Sequence, residues 1–196
     1  MSKLKGSNLA GGKGKRGRVK NDYYATPPES TKALLDRVKF EGENILEPAA
    51  GEGHISEVLK DYYPNKEIVS TDLIDRGYGE GGVDFLEYDY GRKFDNIITN
   101  PPFRDSKEFT IKGLENLKTG GKLALFLKIQ FLESKKRKGL FEDYPPKYIY
   151  VFSSRQNPWR NGSPVDENGK KWSSTMCFAW FVWEKGNYTE PIVRWI

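Results

Sequence analysis

Asn44-Ile45-Leu46-Glu47-Pro48-Ala49-Ala50-Gly51-Glu52-Gly53-His54-Ile55 decides how the rest of the chain is read. Its first three residues form a short run suited to a buried strand. Gly51 and Gly53 follow in a loop, and apolar positions Ile55, Val58, Leu59 and Tyr62 then recur on one helical face. Strand, glycine loop and helix in that order open a parallel α/β unit. The glycines let a ligand approach the backbone closely, and the first turn of the helix offers N–H groups without intrahelical partners. Ser56 stands where the dinucleotide fingerprint has its third glycine, which argues against a pyrophosphate cofactor.

Outward from this unit the strand pattern repeats. Glu67-Ile68-Val69-Ser70-Thr71 reads as the next strand and ends at Asp72, an acid 21 residues after Gly51, placed to accept both hydroxyls of a ribose. Gly77 to Gly82 is loop, and Val83-Asp84-Phe85-Leu86 is a short segment with an acid at its centre. Phe94 to Thr99 is a buried strand that delivers Asn100-Pro101-Pro102-Phe103. Two prolines stop that strand and fix φ without offering N–H groups. The expected product is a rigid turn with free carbonyls, an amide at its start and an aromatic face at its end. Such a set suits gripping a flat, amino-bearing ring; the plainer reading is a strand-ending turn with a packing phenylalanine. Asp105 or Ser106 caps a helix through Phe109, Leu114 and Leu117, ended by Gly120-Gly121. Lys122 to Leu127 is a strand buried on both faces.

The remainder is read the same way. Glu133 to Phe141 is a helix with a basic face (Lys135, Lys136, Arg137, Lys138), stopped by Pro145-Pro146. Lys147 to Phe152 and Thr175 to Trp183 are the last two strands, with Met176 and Cys177 as core positions of the second. No helix separates them, so they pair antiparallel. Residues 153–174 between them are polar and glycine-rich and carry Arg155, Asn157, Trp159 and Arg160. Upstream, Thr26 and Glu29 form a capping box with Pro27 at the first helical position. Ala33, Leu34, Leu35 and Val38 form the apolar face of that helix. Tyr23 and Tyr24 stand at its mouth, where exposed tyrosines line pockets. The pattern gives an α/β, Rossmann-like fold: a seven-stranded, mostly parallel sheet with a terminal antiparallel hairpin.

Size and charge bound the function. A chain of 196 residues suits one domain with one substantial core. No apolar run reaches membrane-spanning length, and the basic N-terminus has no apolar stretch behind it, so a secretory signal is not expected. One cysteine and one histidine exclude an intrachain disulfide, fit a reducing cytoplasm, and argue against a zinc site of the N/S type. The net charge is +5, from 32 basic and 27 acidic side chains. Residues 1–20 hold seven of the basic ones and no acid, which leaves 25 basic against 27 acidic elsewhere. The basic character therefore belongs to a flexible Lys/Arg/Gly tail over residues 1–20, read either as a non-specific phosphate binder or as a solubilising leader. Residues 21–196 are the single globular domain.

The joint order Thr26-Pro27-Pro28, Glu47-Pro48-Ala49-Ala50-Gly51-Glu52-Gly53, Asp72, Asp84-Phe85 and Asn100-Pro101-Pro102-Phe103 resembles class I methyltransferases that use S-adenosylmethionine. More narrowly it resembles the N6-adenine DNA methyltransferases of gamma motif order, in which the cofactor motif precedes the catalytic one, including compact phage-type enzymes. The resemblance covers roughly residues 22–152. It implies S-adenosyl-L-methionine as cofactor and DNA as partner, in the cytoplasm of a bacterial or phage-infected cell, with no metal and no membrane. It further implies that Tyr24 and Thr26 lie by the methionine carboxylate or base pocket, and that Glu47, Pro48, Ala49, Gly51 and Gly53 wrap the methionine part. Asp72 would hold the ribose and Leu73 would lie against the cofactor adenine. Asp84 would accept from that adenine's amino group, bordered by Phe85. Asn100 and Pro101 would bind the target amino group, and Phe103 would stack on the target base. An exocyclic amino nitrogen is a poor nucleophile because its lone pair is delocalised into the ring. Accepting its N–H groups at Asn100 and Pro101 would favour a pyramidal nitrogen aimed at the methyl group.

Two departures shape the alternatives. A long sequence-reading region is missing, so any sequence preference would come from residues 153–174, the basic segment near Lys135–Lys138 and the tail. Arg155 and Arg160 would then contact phosphate or guanine and Trp159 would wedge or stack, against an ordinary surface loop as the alternative. The Asn-Pro-Pro-aromatic motif also occurs in methyltransferases acting on RNA base amino groups and on a glutamine amide. RNA, protein glutamine, and a non-catalytic nucleic-acid-binding module are therefore the competing readings. Oligomeric state is left open.

Overall fold

The computed structural model describes residues 23–173 and 175–196; the tail read over residues 1–20 lies outside them. The elements in chain order are β1 (Tyr24–Ala25), α1 (Pro28–Leu35), β2 (Asn44–Glu47), α2 (His54–Tyr62), β3 (Glu67–Asp72), β4 (Glu80–Gly81), β5 (Phe94–Thr99), α3 (Ser106–Asn116), β6 (Leu117–Lys128), α4 (Lys138–Asp143), β7 (Tyr148–Val151), β8 (Trp159–Arg160), β9 (Phe178–Glu184) and β10 (Ile192–Trp195). The main sheet has the order β10-β7-β9-β6-β5-β2-β3-β4. All neighbours are parallel except β9, which runs antiparallel to both β6 and β7. β1 and β8 form a separate two-stranded ladder.

Alternation along the central strands builds two cores, one on each face. Leu123, Leu125 and Leu127 of β6 share one face with Phe181 and Trp183 of β9, under Phe109 and Leu114 of α3 and Leu140 of α4. Ala124 and Phe126 share the other with Trp180 and Val182, under Leu34 of α1 and Val58 and Leu59 of α2. Each large apolar side chain contributes about 1.5–3 kcal/mol by leaving water. Phe126, Trp180, Phe181 and Trp183 are all at most 1% exposed, so stability is concentrated at the β6–β9 seam. The two tryptophans keep their polar ends satisfied: Trp180 Nε1 donates to the Ser30 carbonyl at 2.8 Å and Trp183 Nε1 to the Tyr144 carbonyl at 2.9 Å.

The seven strands and the terminal hairpin are present, with β10 added as an eighth, parallel to β7 at the sheet edge. All four of its residues are exposed, so no buried alternation marks it in the sequence. Other expectations need correction. The third strand is the two-residue β4, paired to Thr71 and Asp72, and Val83 to Leu86 is a turn beside it. α1 starts at Pro28 rather than Pro27, and the Thr26 side chain does not cap it. Gly120-Gly121 does not end α3, which stops at Asn116. The glycines lie in β6, where the register with β5 shifts between the Leu117 and Lys122 pairs and the backbone exchanges hydrogen bonds with Lys185; glycine here serves an irregularity in a strand rather than a helix cap.

The basic helix from Glu133 is broken into a 3₁₀ turn over Lys135–Arg137 and the short α4. Ser134 sits at φ +146°, and the Arg137 guanidinium donates to the carbonyls of Gln130, Phe131 and Glu133. Arg137 thus serves as a backbone brace, while Lys135, Lys136 and Lys138 remain exposed. Cys177 precedes β9 and is exposed rather than a core position; Met176 is half-buried against the core. Among the described residues no helix is long and apolar enough to cross a membrane, and no cluster of three or more His, Cys, Asp or Glu side chains is arranged to hold a metal ion.

Candidate active site

The carboxyl ends of parallel strands β2, β3 and β5 converge where the strand order reverses, the place where open α/β sheets bind ligands. A cavity of about 540 Å³ lies there, within the usual range for a small-molecule site. It is lined by Glu47, Pro48 and Ala49 after β2, Asp72 and Leu73 after β3, Asp84 and Phe85 beyond β4, and Asn100 to Phe103 after β5. Tyr23, Tyr24 and Thr26 close it from the N-terminal side. Residues far apart in the chain thus share one wall.

The glycine loop is held by its neighbours' backbone and by Asp72. Gly51 N–H donates to Asp72 Oδ2 and Ile74 N–H to Asp72 Oδ1, both at 2.8 Å. These two bonds aim the carboxylate and leave each oxygen further acceptor capacity. Gly51 has φ +59° and lies under the Tyr23 ring, so a Cβ there would collide with the aromatic edge. Tyr23 OH accepts from Glu52 N–H at 3.2 Å, and the Arg76 guanidinium stacks 4.1 Å from the ring centroid. Burial pushes the Tyr23 hydroxyl up to about 12. Arg76 lines the cavity too. Nothing in the sequence singled it out, because a charged residue in a glycine-rich loop looks like surface.

Glu47 is 1% exposed. It accepts from Ser56 Oγ, which in turn lies 2.6 Å from Ser70 Oγ. Burial holds the Glu47 carboxyl well above the usual carboxylate range; the Ser56 hydrogen bond opposes this and the nearby Asp72 adds to it. In the unfolded chain the group titrates near about pH 4.3. A pKa raised by folding contributes stability that is complete below the unfolded value and is lost as pH rises through the folded one. Glu47→Gln removes that titration and keeps an oxygen for Ser56. Its melting temperature is expected to exceed the wild type's at pH 8, by about 2–4 °C per kcal/mol regained, and to converge on it at pH 4. An identical offset at both pH values would show that Glu47 is ionised where it is buried.

On the β5 side, Asn100 Nδ2 donates to the Tyr24 carbonyl at 2.7 Å. A carbonyl can only accept, so this bond fixes which end of the amide points where and leaves Oδ1 for the cavity. The Pro102 carbonyl is taken by Asp105 N–H at 2.9 Å, leaving Pro101's as the available proline carbonyl. The Phe103 ring lies near-parallel to Tyr24, 6.4 Å between centroids, with the Lys128 ammonium 4.5 Å over it. Phe85 is buried against Phe109, 4.9 Å between centroids. Asp84 is exposed and its Oδ1 accepts from Leu86 N–H at 3.0 Å. Thr26 lines the cavity, and its Oγ1 is buried with no hydrogen-bond partner among the described residues. A cavity of this size with an aimed carboxylate, an amide oxygen and apolar walls fits a ligand bearing a sugar and a flat ring; Gly51 and Gly53, expected to line it, are instead buried under the Tyr23 and Tyr78 rings and shape the turn behind its wall.

The three residues read from the long loop fall elsewhere. Trp159 and Arg160 form β8, paired to β1, and Trp159 stands edge-on to His54 at 5.4 Å. Arg160 lies 5.2 Å from the Trp172 ring. Arg155 donates to the Thr175 carbonyl. His54 lines the cavity in the first turn of α2, and burial lowers its pKa.

A central parallel sheet with one antiparallel strand inserted between β6 and β7, helices on both faces and a glycine loop after its first parallel strand is the fold of the class I S-adenosylmethionine-dependent methyltransferases. A Listeria monocytogenes protein described as such an enzyme superposes with a TM-score of 0.63 at 14% identity, over 88% of this chain and 65% of its own. The methyltransferase subunit of a type I restriction-modification system from Streptococcus thermophilus gives 0.59 at 14% identity, over 87% of this chain and 47% of its own. In sequence, a type II methyltransferase of Paramecium bursaria Chlorella virus XZ-6E is 28% identical over 99 residues, 45% of this chain and 26% of that protein. The chain therefore spans about a quarter of the curated relative and between about half and two thirds of these two structural ones. No protein-family model matches the chain. Structures described as RNA and O-methyltransferases share the fold, so the fold alone leaves the acceptor open.

Proposed function

We propose that the protein transfers a methyl group from S-adenosylmethionine to the exocyclic N6 amino group of adenine in DNA. The observation that carries this reading is the Asn100 amide, held by the Tyr24 carbonyl at the rim of the cavity that starts at the glycine loop and Asp72. An amide oxygen and a proline carbonyl side by side suit a planar amino group with two N–H donors. The type II and restriction-modification descriptions of the similar proteins favour DNA as its carrier.

When bound, the cofactor supplies an electrophilic methyl group on a sulfonium. The chain's own residues do the rest. Asp72 accepts from the ribose hydroxyls, and Leu73, Asp84 and Phe85 hold the adenine ring. Glu47, Pro48 and Ala49 wrap the methionine part, Gly51 and Gly53 shape the turn behind them, and Thr26 lies by its carboxylate. Asn100 Oδ1 and the Pro101 carbonyl accept the acceptor's N–H groups and orient its lone pair, so catalysis is positioning and oriented dipoles. Asn100 is no strong base, and the surplus proton leaves to water after transfer. A base in a duplex must be flipped to reach this depth, and the Phe103 ring beside Tyr24 replaces its lost stacking. Residues 21–196 act as one catalytic domain, and the basic residues of 1–20 add non-specific phosphate affinity.

Incubation with labelled S-adenosylmethionine and separate DNA, RNA and protein pools, followed by nucleoside and amino-acid analysis, tests the reading. Label is expected in DNA as N6-methyladenine. Label in RNA nucleosides or in methylglutamine instead would overturn the assignment of the acceptor.

A further inference from the structure

The polar segment 153–173 is a built element. Its turn over Asn161 and Gly162 has positive φ at both residues (+49° and +74°), closed by Ser163 N–H donating to the Arg160 carbonyl at 3.2 Å. Trp172 Nε1 donates to the Ser163 carbonyl at 2.6 Å, and Val165 bridges to Lys171. Arg155 anchors the base of the segment to the Thr175 carbonyl.

What this element touches is informative. β8 pairs with β1 in the register Tyr24–Arg160 and Ala25–Trp159, and Asn161 N–H donates to the Tyr23 carbonyl at 3.4 Å. Among the described residues β1 pairs with no other strand. A third tie joins Ser30 Oγ to Gln156 Oε1 at 2.7 Å. The same element leans on the glycine loop, through Trp159 against His54 and through Gly162 against the Glu52 carboxylate. Two-residue ladders are marginal by themselves, so these braces are what hold β8 in place. β1 in turn carries the Tyr24 carbonyl that orients Asn100.

We propose that residues 153–173 form a positioning clasp: by pairing with β1 and bracing on Glu52 and His54, they hold the Tyr24 carbonyl where it turns the Asn100 amide oxygen toward the acceptor. This rests on the reading of Asn100 as the group that binds the acceptor's amino nitrogen. The two ends of an amide are nearly the same size and opposite in chemistry. If Tyr24 drifts, Asn100 rotates freely and presents a donor where an acceptor is needed. Trp159 is then a positioning residue, acting through Tyr24 and Asn100.

Two variants loosen the clasp differently. Trp159→Ala removes the brace on His54. Gly162→Val places a β-branched residue at φ +74°, which strains the turn that follows β8. Both leave the cores of the main sheet untouched. In each, kcat is expected to fall about tenfold or more, in line with the cost of a small misplacement of reacting groups. The dissociation constants of cofactor and of DNA stay within about threefold. Trp159→Phe restores kcat. The Asn100 side-chain amide, followed by NMR in the full-length protein, loses its hydrogen-bonded shift in both variants and regains it in Trp159→Phe. An unaltered Asn100 signal overturns the proposal, as does weakened DNA binding with kcat at saturation unchanged, which would make the segment a DNA contact surface. If wild-type protein methylates no nucleic acid, the functional reading fails, while the Asn100 signal still decides for or against the clasp.

Discussion

Asn100→Ala is expected to lower kcat for methyl transfer by on the order of 10²–10³-fold, the usual cost of deleting one oriented dipole at a reacting centre. Cofactor affinity, measured by calorimetry, should change little. The Asn100 side chain is engaged with the Tyr24 carbonyl, while the carboxylate aimed at the cofactor side of the cavity belongs to Asp72, on another strand. Equal loss of transfer and of cofactor binding would remove Asn100 from the acceptor side. Asn100→Asp refines the test. A carboxylate still accepts from an amino group, but it has no N–H for the Tyr24 carbonyl and is repelled by it. That variant should fall between wild type and Asn100→Ala, and its activity should depend on pH.

Asp72→Ala is expected to raise the cofactor dissociation constant by about two to four orders of magnitude. Two hydrogen bonds from ribose hydroxyls to a charged acceptor are worth about 1.5–3 kcal/mol each. A second effect adds to it: Gly51 N–H and Ile74 N–H lose the carboxylate that orders the loop. Asp72→Asn keeps the size and separates the causes. Its amide must turn an NH₂ toward either Gly51 N–H or Ile74 N–H, so one loop bond becomes a repulsion. If affinity is unchanged in both variants, the ribose does not bind at Asp72.

Much of the site was readable before folding because its chemistry is contiguous. Glu47-Pro48-Ala49, the acid closing β3 and the Asn100 turn each announce themselves within a few residues and line the cavity, because strand ends in a parallel sheet converge by topology; Gly51 and Gly53 lie under the Tyr23 and Tyr78 rings instead. Arg76 was not readable: its place over Tyr23 is a contact across 53 positions of chain. The broken helix after Glu133 was misread for a related reason. Its composition suits a helix, but Ser134 at φ +146° breaks the helical path, and the Arg137 guanidinium takes the Glu133 carbonyl with which that helix would have opened. Side-chain-to-backbone hydrogen bonds within seven residues outweighed propensities worth only tenths of a kcal/mol per residue.

Thr26 shows the same boundary from the other side. Its spacing to Glu29 suggested a cap, yet its hydroxyl is buried and unpartnered and the residue lines the cavity. Local pattern was enough for the α/β class, the order of the parallel strands' motifs and the chemical types at the site, since periodicity and turn chemistry are properties of neighbours in the chain. Orientation needed the folded molecule. Tyr24 and Asn100 are 76 residues apart, and β8 meets β1 from more than a hundred residues away. Such pairings follow from how strands stack and where loops return, which no local preference encodes, and they set which end of the Asn100 amide is held by Tyr24 and which is left for the cavity.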